Sequence, residues 1–277
     1  MKDILLLHGG VGSDSSINPI LNGYARHAFL KEPLDSVVKA VVLMEDDETF
    51  NAGTGSVMRL DGTIQMDACV MVPGHVGSVM GIERVKNPVL VARDVMEKSP
   101  HVIFAGDGAT AFARIMGHGD YDPSTEKSRK RLEKVKLDLE SNQDPGAREK
   151  MFLLSMEKTG HDTVGAVARI GDRFASAVST GGASPMMRGR VGDSPVPGSG
   201  IFTGEEGSVV ATGIGEEIIK RSLCFRIYSR IGEKPLKQIL DEEVAYFGDV
   251  AVGVIAVSRN EVAYSANKDM ATGYIEA

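Results

Sequence analysis

Cysteine is nearly absent from this sequence: Cys69 and Cys224 are the only two in 277 residues, and neither belongs to a CxxC pair. That excludes a disulfide framework and a paired-cysteine metal site, and leaves two reduced, mostly buried thiols as the reading. Long apolar runs are missing too. No segment approaches the roughly 20 apolar residues that a membrane helix needs. The opening run Ile4-Leu5-Leu6-Leu7 is too short for the core of a signal peptide and stops at Gly9-Gly10, so the expected compartment is the cytoplasm. Basic residues are not in excess: 31 Lys and Arg stand against 38 Asp and Glu, a formal net charge of −7. That argues against nucleic acid as a partner. HExxH, GxSxG and a Walker lysine are all lacking, and Gly213-Ile214-Gly215 has no third glycine to complete a dinucleotide fingerprint.

What is present is an ordinary globular mixture, 42% hydrophobic and 25% charged, in a chain long enough to bury a substantial core. Residues 4–7 read as a buried strand closed by a glycine turn. Residues 34–46 read as a helix with Leu34, Val37, Val38, Val41 and Val42 on one face. Alternation on both sides of Asp61-Gly62 predicts a hairpin over 55–67. A helix over 89–98 behind Pro88, a strand over 101–105 and a helix over 109–116 follow. From 121 to 150 Lys, Arg, Glu, Asp and Ser dominate. A charged helix over 128–140 carries only a thin stripe of Leu132, Val135 and Leu139, so the segment reads as a solvent-exposed linker. Residues 163–170 and 173–179 read as strands paired about Gly171-Asp172. Glycine-rich loops fill 180–200, helices are predicted over 216–231 and 235–247, and a hairpin over 250–258 and 261–266 closes the pattern. Strands and helices fall in blocks rather than in βαβ alternation, which predicts an α+β domain of antiparallel sheets covered by helices.

Taken singly, the polar residues of the later half are bland. A threonine opening a strand, such as Thr163, is ordinarily structural, and Arg190 with Asp193 is ordinarily a surface ion pair. Their combination is more specific. In order, the chain carries Leu7-His8-Gly9-Gly10; Phe50-Asn51-Ala52-Gly53-Thr54-Gly55; Gly160-His161-Asp162-Thr163-Val164-Gly165-Ala166; Ser179-Thr180-Gly181-Gly182; Gly189-Arg190-Val191-Gly192-Asp193-Ser194-Pro195; and Ala211-Thr212-Gly213-Ile214-Gly215-Glu216. This series resembles the plant-type L-asparaginase and isoaspartyl-peptidase family of N-terminal nucleophile hydrolases over most of the chain outside residues 121–150.

The resemblance implies a four-layer αββα sandwich and an autocatalytic cut between Asp162 and Thr163. The products would be an α-chain, 1–162, ending in a flexible charged tail from about 121, and a β-chain, 163–277. The chemistry is coherent. A threonine hydroxyl needs a base to take its proton, and a threonine at a chain terminus supplies its own α-amino group, with a pKa of about 8. By the family pattern Thr163 is the nucleophile and Thr180 orients it. The Thr212 hydroxyl and Gly213 N–H receive the oxyanion. Arg190, Val191, Gly192, Asp193, Gly215 and Asn51 hold an aspartyl substrate. A guanidinium grips an α-carboxylate bidentately, and a carboxylate meets the α-ammonium. Backbone carbonyls of Met44, Glu45, Asp47, Phe50, Ala52 and Thr54 match a family loop that wraps a structural sodium ion; no cofactor is implied for catalysis. A homodimer of αβ units is expected, with small aspartyl molecules as substrates. Two alternatives stay open. Asp162 replaces the usual glycine and is reminiscent of glycosylasparaginases. An uncut, non-catalytic homologue that binds aspartyl ligands is the other alternative. Ser184-Pro185-Met186-Met187 and Ile214 also depart from the family pattern and bear on the leaving group.

Overall fold

The computed structural model describes residues 2–141 and 163–277. Among these, helices and strands are mixed in the α+β manner. The larger sheet has seven strands in the order β11-β1-β5-β6-β2-β3-β4. They are β1 (Ile4–Val11), β2 (Met66–Val72), β3 (His75–Ile82), β4 (Ile103–Ala105), β5 (Val164–Ile170), β6 (Arg173–Thr180) and β11 (Met270–Glu276). All neighbours run antiparallel except β3 and β4. The smaller sheet is β10-β9-β8-β7, formed by β7 (Ile201–Gly204), β8 (Gly207–Gly213), β9 (Val252–Ser258) and β10 (Val262–Ala266).

Strand periodicity sorts the side chains. On one face of the larger sheet Leu5, Leu7, Val164, Ala166, Ala168, Ala175 and Ala177 pack against the helices α1 (Asn18–Ala28), α2 (Pro33–Glu45) and α3 (Pro88–Lys98). The alternate residues Ile4, Leu6, Val167, Phe174 and Val178 meet Ile201, Val210, Ile255 and Val257 of the smaller sheet. Val209, Ala211, Val252, Val254 and Ala256 pack in turn against α7 (Leu223–Ser229) and α8 (Leu236–Ala245). β1 and β5 are therefore buried on both faces, which is why Ile4-Leu5-Leu6-Leu7 shows no polar alternation. Each such aliphatic side chain contributes about 1.5–3 kcal/mol on burial. No helix among the described residues is long and apolar enough to cross a membrane. Cys69 and Cys224 are buried, and burial pushes the Cys69 thiol up to about 12.

Several expectations are corrected. The turn at Asp61-Gly62 forms, with Asp61 Oδ1 accepting from the Thr63 N–H at 3.0 Å. Its flanks are not strands, however, because Arg59 turns inward and is completely buried. The hairpin lies further on, between β2 and β3 around Pro73-Gly74. The helix expected over 216–231 breaks at Ser222, which adopts a left-handed φ of 49°, into α6 (Gly215–Arg221) and α7. The charged segment contains the helix α5 (Glu126–Ser141), preceded by α4 (Gly106–Ile115). Thr125 and Ser128 exchange side-chain and backbone hydrogen bonds of 3.0 and 3.1 Å at its start, in the manner of a capping box. The rest of the expected linker, through residue 162, lies outside the described residues.

Candidate active site

Thr163 immediately precedes β5, in the middle of the larger sheet. It is 5% exposed, and its hydroxyl donates to the Thr180 hydroxyl at 3.2 Å. The antiparallel β5–β6 register, with Val164 opposite Ser179, brings the two threonines together. Thr180 Oγ1 also accepts from the Gly182 N–H at 2.9 Å. Gly182 has φ +83°, and a Cβ there would lie 2.8 Å from Arg59 Nη1, so only glycine fits. Asp162, the other side of the expected cut, lies outside the described residues.

Asn51 stands behind this turn. Its Nδ2 donates to Gly182 O at 2.6 Å, its Oδ1 accepts from the Val57 N–H at 2.9 Å, and its carbonyl accepts from the Gly181 N–H at 2.7 Å. It was expected to contact substrate. One end of its amide thus holds the loop after β6 and the other holds Val57.

His8 lies at the same end of β1, opposite Gly165. A Cβ on Gly165 would come 2.4 Å from His8 Nε2. Complete burial pushes the imidazole down to about 3, despite the opposing pull of the Thr163 backbone. His8 is thus neutral at any physiological pH and unsuited to hold a proton for the nucleophile. Thr212, fully buried on β8, accepts from the Val11 N–H at 3.3 Å, which ties the end of β1 to the smaller sheet. Beside it Gly213 adopts φ +145°, where a Cβ would stand 2.3 Å from Ala251 O.

A second group collects charge. Arg190 is mostly buried and makes two bonds of 2.9 Å to Glu216, Nε to Oε1 and Nη2 to Oε2. Burial pulls its pKa down, but the bond to Glu216 and the charges of Glu216, Asp193 and Asp67 outweigh it and leave it raised. Asp193 is 4% exposed and its Oδ2 has no hydrogen-bond partner among the described residues. Burial pushes its carboxyl up to about 7, against the opposing Arg190 charge. A Cβ on Gly215 would lie 2.9 Å from both Arg190 Nη2 and Asp193 Oδ1, and one on Gly192 would lie 2.8 Å from Arg190 Nη1. Glycine at 192 and 215 thus lets the backbone pack directly against the Arg190 guanidinium, and at 215 against the Asp193 carboxylate as well.

Asp67, which the sequence reading passed over, links the two groups. It pairs with Thr180 in the β2–β6 ladder, and its Oδ1 accepts from the Gly81 N–H at 2.7 Å. Burial raises its pKa, while the backbone of Gly81 and the guanidinium groups of Arg59 and Arg190 work against that rise. A lone acid in the otherwise apolar run Met66-Asp67-Ala68-Cys69-Val70-Met71 was the signal available.

Residues 44–54 form a loop closed by its own N–H groups. Thr54 donates to Glu45 O at 2.8 Å, Asp47 to Met44 O at 3.4 Å and Phe50 to Asp47 O at 3.1 Å. Around Gly55 the carbonyls of Glu48 and Phe50 converge, 2.9 and 3.0 Å from where a Cβ would sit. Glu45 directs its side chain away, to the Val89 N–H at 3.0 Å. The oxygens that converge there are backbone carbonyls, hard donors of the kind that oxygen-preferring cations take.

Comparison with known proteins places the chain in a family. The family profile described as Asparaginase matches residues 15–277. A "Plant-type L-asparaginase" of Pyrococcus furiosus is 39% identical over 92% of this chain and 90% of its own length. One from Pyrococcus abyssi is 38% identical over 95% and 92%. An "Isoaspartyl peptidase/L-asparaginase" of Xenopus laevis is 34% identical over 97% and 93%. With a profile match across nearly its whole length, and with a threonine-headed central strand beside a buried arginine–aspartate cradle, the chain belongs to the asparaginase family of amide hydrolases.

Proposed function

We propose that the chain is an autoprocessing threonine amidohydrolase that cleaves L-asparagine and β-aspartyl dipeptides to L-aspartate through an acyl-enzyme on Thr163. The observation that carries this reading is the buried Thr163 hydroxyl, at the head of β5, hydrogen-bonded to Thr180. In maturation the Thr163 hydroxyl attacks the Asp162 carbonyl and the peptide nitrogen leaves as the new α-amine; water then hydrolyses the ester. In turnover that α-amine takes the Thr163 proton while Oγ1 attacks the substrate's side-chain carbonyl. The Thr212 hydroxyl and Gly213 N–H stabilise the resulting oxyanion. The intermediate collapses, the proton passes to the departing ammonia or amine, and water releases aspartate from the ester. Arg190 receives the α-carboxylate and Asp193 the α-ammonium. The two sheets and their helices fit the four-layer αββα sandwich of N-terminal nucleophile hydrolases.

We further read the assembly as a cytoplasmic homodimer of αβ units, with the carbonyl-lined loop at 44–54 taking a structural sodium ion. Replacing sodium with choline is expected to lower the melting temperature by a few degrees, as a ligand that binds only the folded state requires; an unchanged Tm would remove the ion from the reading. The test of the main proposal is N-terminal sequencing of the aged protein together with ammonia release from L-asparagine. A fragment starting Thr163-Val164-Gly165 with ammonia produced supports it. A full-length inert chain overturns it in favour of a ligand-binding homologue. The Asp162-Thr163 dipeptide favours one rival substrate, glycoasparagine, and a cut enzyme active on that compound alone would decide for it. Arg190→Ala is expected to leave processing intact and raise the KM for L-asparagine about 10- to 100-fold, the effect of losing a hydrogen-bonded charge. Steady-state kinetics on the cut protein check this.

A further inference from the structure

Glu216 meets Arg190 along one particular edge. Its two oxygens accept from Nε and Nη2, each at 2.9 Å. A guanidinium has five N–H bonds in a fixed planar fork. Side-on pairing through Nε–H and one Nη2–H leaves three, including the two parallel N–H bonds, one on each Nη, that point off the end of the side chain. One carboxylate on the side edge therefore does not saturate Arg190. The end edge remains able to take a second carboxylate bidentately.

The backbone lies close against that end. A Cβ at Gly192 would come 2.8 Å from Nη1, and one at Gly215 2.9 Å from Nη2. The same Gly215 position is 2.9 Å from Asp193 Oδ1. Glycine at both positions thus lets the backbone approach the two Nη atoms and the Asp193 carboxylate, away from the edge that Glu216 occupies. Gly215 and Glu216 are neighbours in sequence, so one turn of chain at the start of α6 supplies both the close backbone and the anchor. The anchor sits at the rim: the Glu216 side chain is 41% exposed, that of Arg190 only 17%. A free arginine samples many rotamers, and ordering such a side chain on binding costs entropy; a guanidinium already fixed side-on avoids much of that.

We propose that Glu216 is a positioning residue for substrate recognition, holding Arg190 by its side edge so that its end edge faces the α-carboxylate of an aspartyl substrate. The proposal rests on the reading above that Arg190 takes that carboxylate. It competes with an opposite view, in which Glu216 imitates the substrate's carboxylate and has to leave before substrate binds. The two differ in sign. If Glu216 positions Arg190, its removal weakens binding; if it blocks Arg190, its removal tightens binding.

The experiment uses processed wild type and Glu216→Gln, with L-aspartate as the calorimetric probe and two amides as substrates. The second amide is 3-aminopropanamide, which is L-asparagine without its α-carboxylate. The expected result is about tenfold weaker L-aspartate binding and about a tenfold higher KM for L-asparagine, in line with losing a charge-assisted bond. kcat should change much less than KM. The preference for L-asparagine over 3-aminopropanamide should shrink by a similar factor, which a general loss of stability does not produce. Unaltered or tighter aspartate binding overturns the proposal, the latter in favour of the blocking role. A wild type that neither binds L-aspartate nor hydrolyses L-asparagine overturns the reading of Arg190 itself, and the role of Glu216 with it. Should the Gln variant fail to fold, Glu216→Asp decides, since it keeps the charge but retracts it by one methylene. Weakened binding with that variant supports the positioning role, and wild-type binding overturns it.

Discussion

Thr163→Ala is expected to give one full-length chain without measurable amide hydrolysis, a loss on the order of a million-fold in kcat by analogy with removal of other activated nucleophiles. The substitution takes away one hydroxyl and one methyl group from a site that is already 95% covered, since Thr163 is 5% exposed, so the fold itself should persist. On the proposed mechanism the hydroxyl acts twice. It attacks the preceding peptide carbonyl during maturation and the substrate carbonyl in each turnover, so one substitution should stop both. Thr163→Ser separates the roles of the two groups removed. It keeps the oxygen that bonds to Thr180 and should still be processed, with activity reduced but measurable. A denaturing gel and an ammonia assay read both variants. Two fragments from the alanine variant would place the cutting group elsewhere.

Asp193→Asn is expected to have the next largest effect, and to move function and stability in opposite directions. Truncating one member of a buried charged interaction costs about 2–5 kcal/mol, which corresponds to about 30- to several thousand-fold in kcat/KM for L-asparagine. The pH dependence identifies the cause. Burial pushes the Asp193 carboxyl up to about 7, so below that pH it becomes protonated and loses its attraction for the substrate ammonium. In the wild type kcat/KM should therefore fall as pH drops through about 7, and the Asn variant should lack that limb. The limb due to the Thr163 α-amine, with an ordinary pKa of about 8, should remain. The stability effect follows from linkage. The folded state holds this proton more tightly than the unfolded chain does, so the contribution of Asp193 is complete below its ordinary carboxylate pKa of 3.8 and is lost as pH rises through about 7. Above pH 7 the Asn variant should melt higher than the wild type. Equal melting curves at pH 8, with an unaltered rate profile, would sink the assignment.

Much of the architecture was legible because strand and helix periods differ. The β5–β6 hairpin, α2, α3 and the β9–β10 hairpin carry clear alternation or a one-sided apolar stripe, and each occurs close to where it was expected. β3, with glycine at 77 and 81 and serine at 78, has too little apolar alternation to announce itself. The hairpin expected over 55–67 failed for a physical reason: Arg59 belongs to the site rather than to the ladder. Its guanidinium bonds Gln65 O at 2.9 Å and the Met186 sulfur, neither of which an alternation pattern can foresee. For the site, the motif order found Thr163, Thr180, Arg190 and Asp193, which the fold gathers into two adjoining groups. Asn51, singled out by the same order, bonds Gly182 and Val57. Asp67 and Glu216 escaped because a lone acid in a strand and an acid at a helix start have unremarkable local meanings. Only the ladder that pairs Asp67 with Thr180, and the fork of Arg190, give them roles.

The strand order of the larger sheet also bears on the proposed cleavage before Thr163. Reading across it, β11 comes from the later part of the chain, β1 from the earlier, β5 and β6 from the later, and β2, β3 and β4 from the earlier. Leu6 alone faces Val167 on one side and Tyr274 on the other. If the bond before Thr163 is broken as proposed, the two polypeptides stay interleaved through the larger sheet like the fingers of clasped hands, while the smaller sheet belongs wholly to the later one. They should stay together through any purification that leaves the fold intact. Unfolding them is a different matter, for a chain that once folded by itself becomes two that must first meet, and recovery then depends on concentration. The proposed cleavage would in this way convert a reversible fold into one whose endurance is set by how slowly it opens.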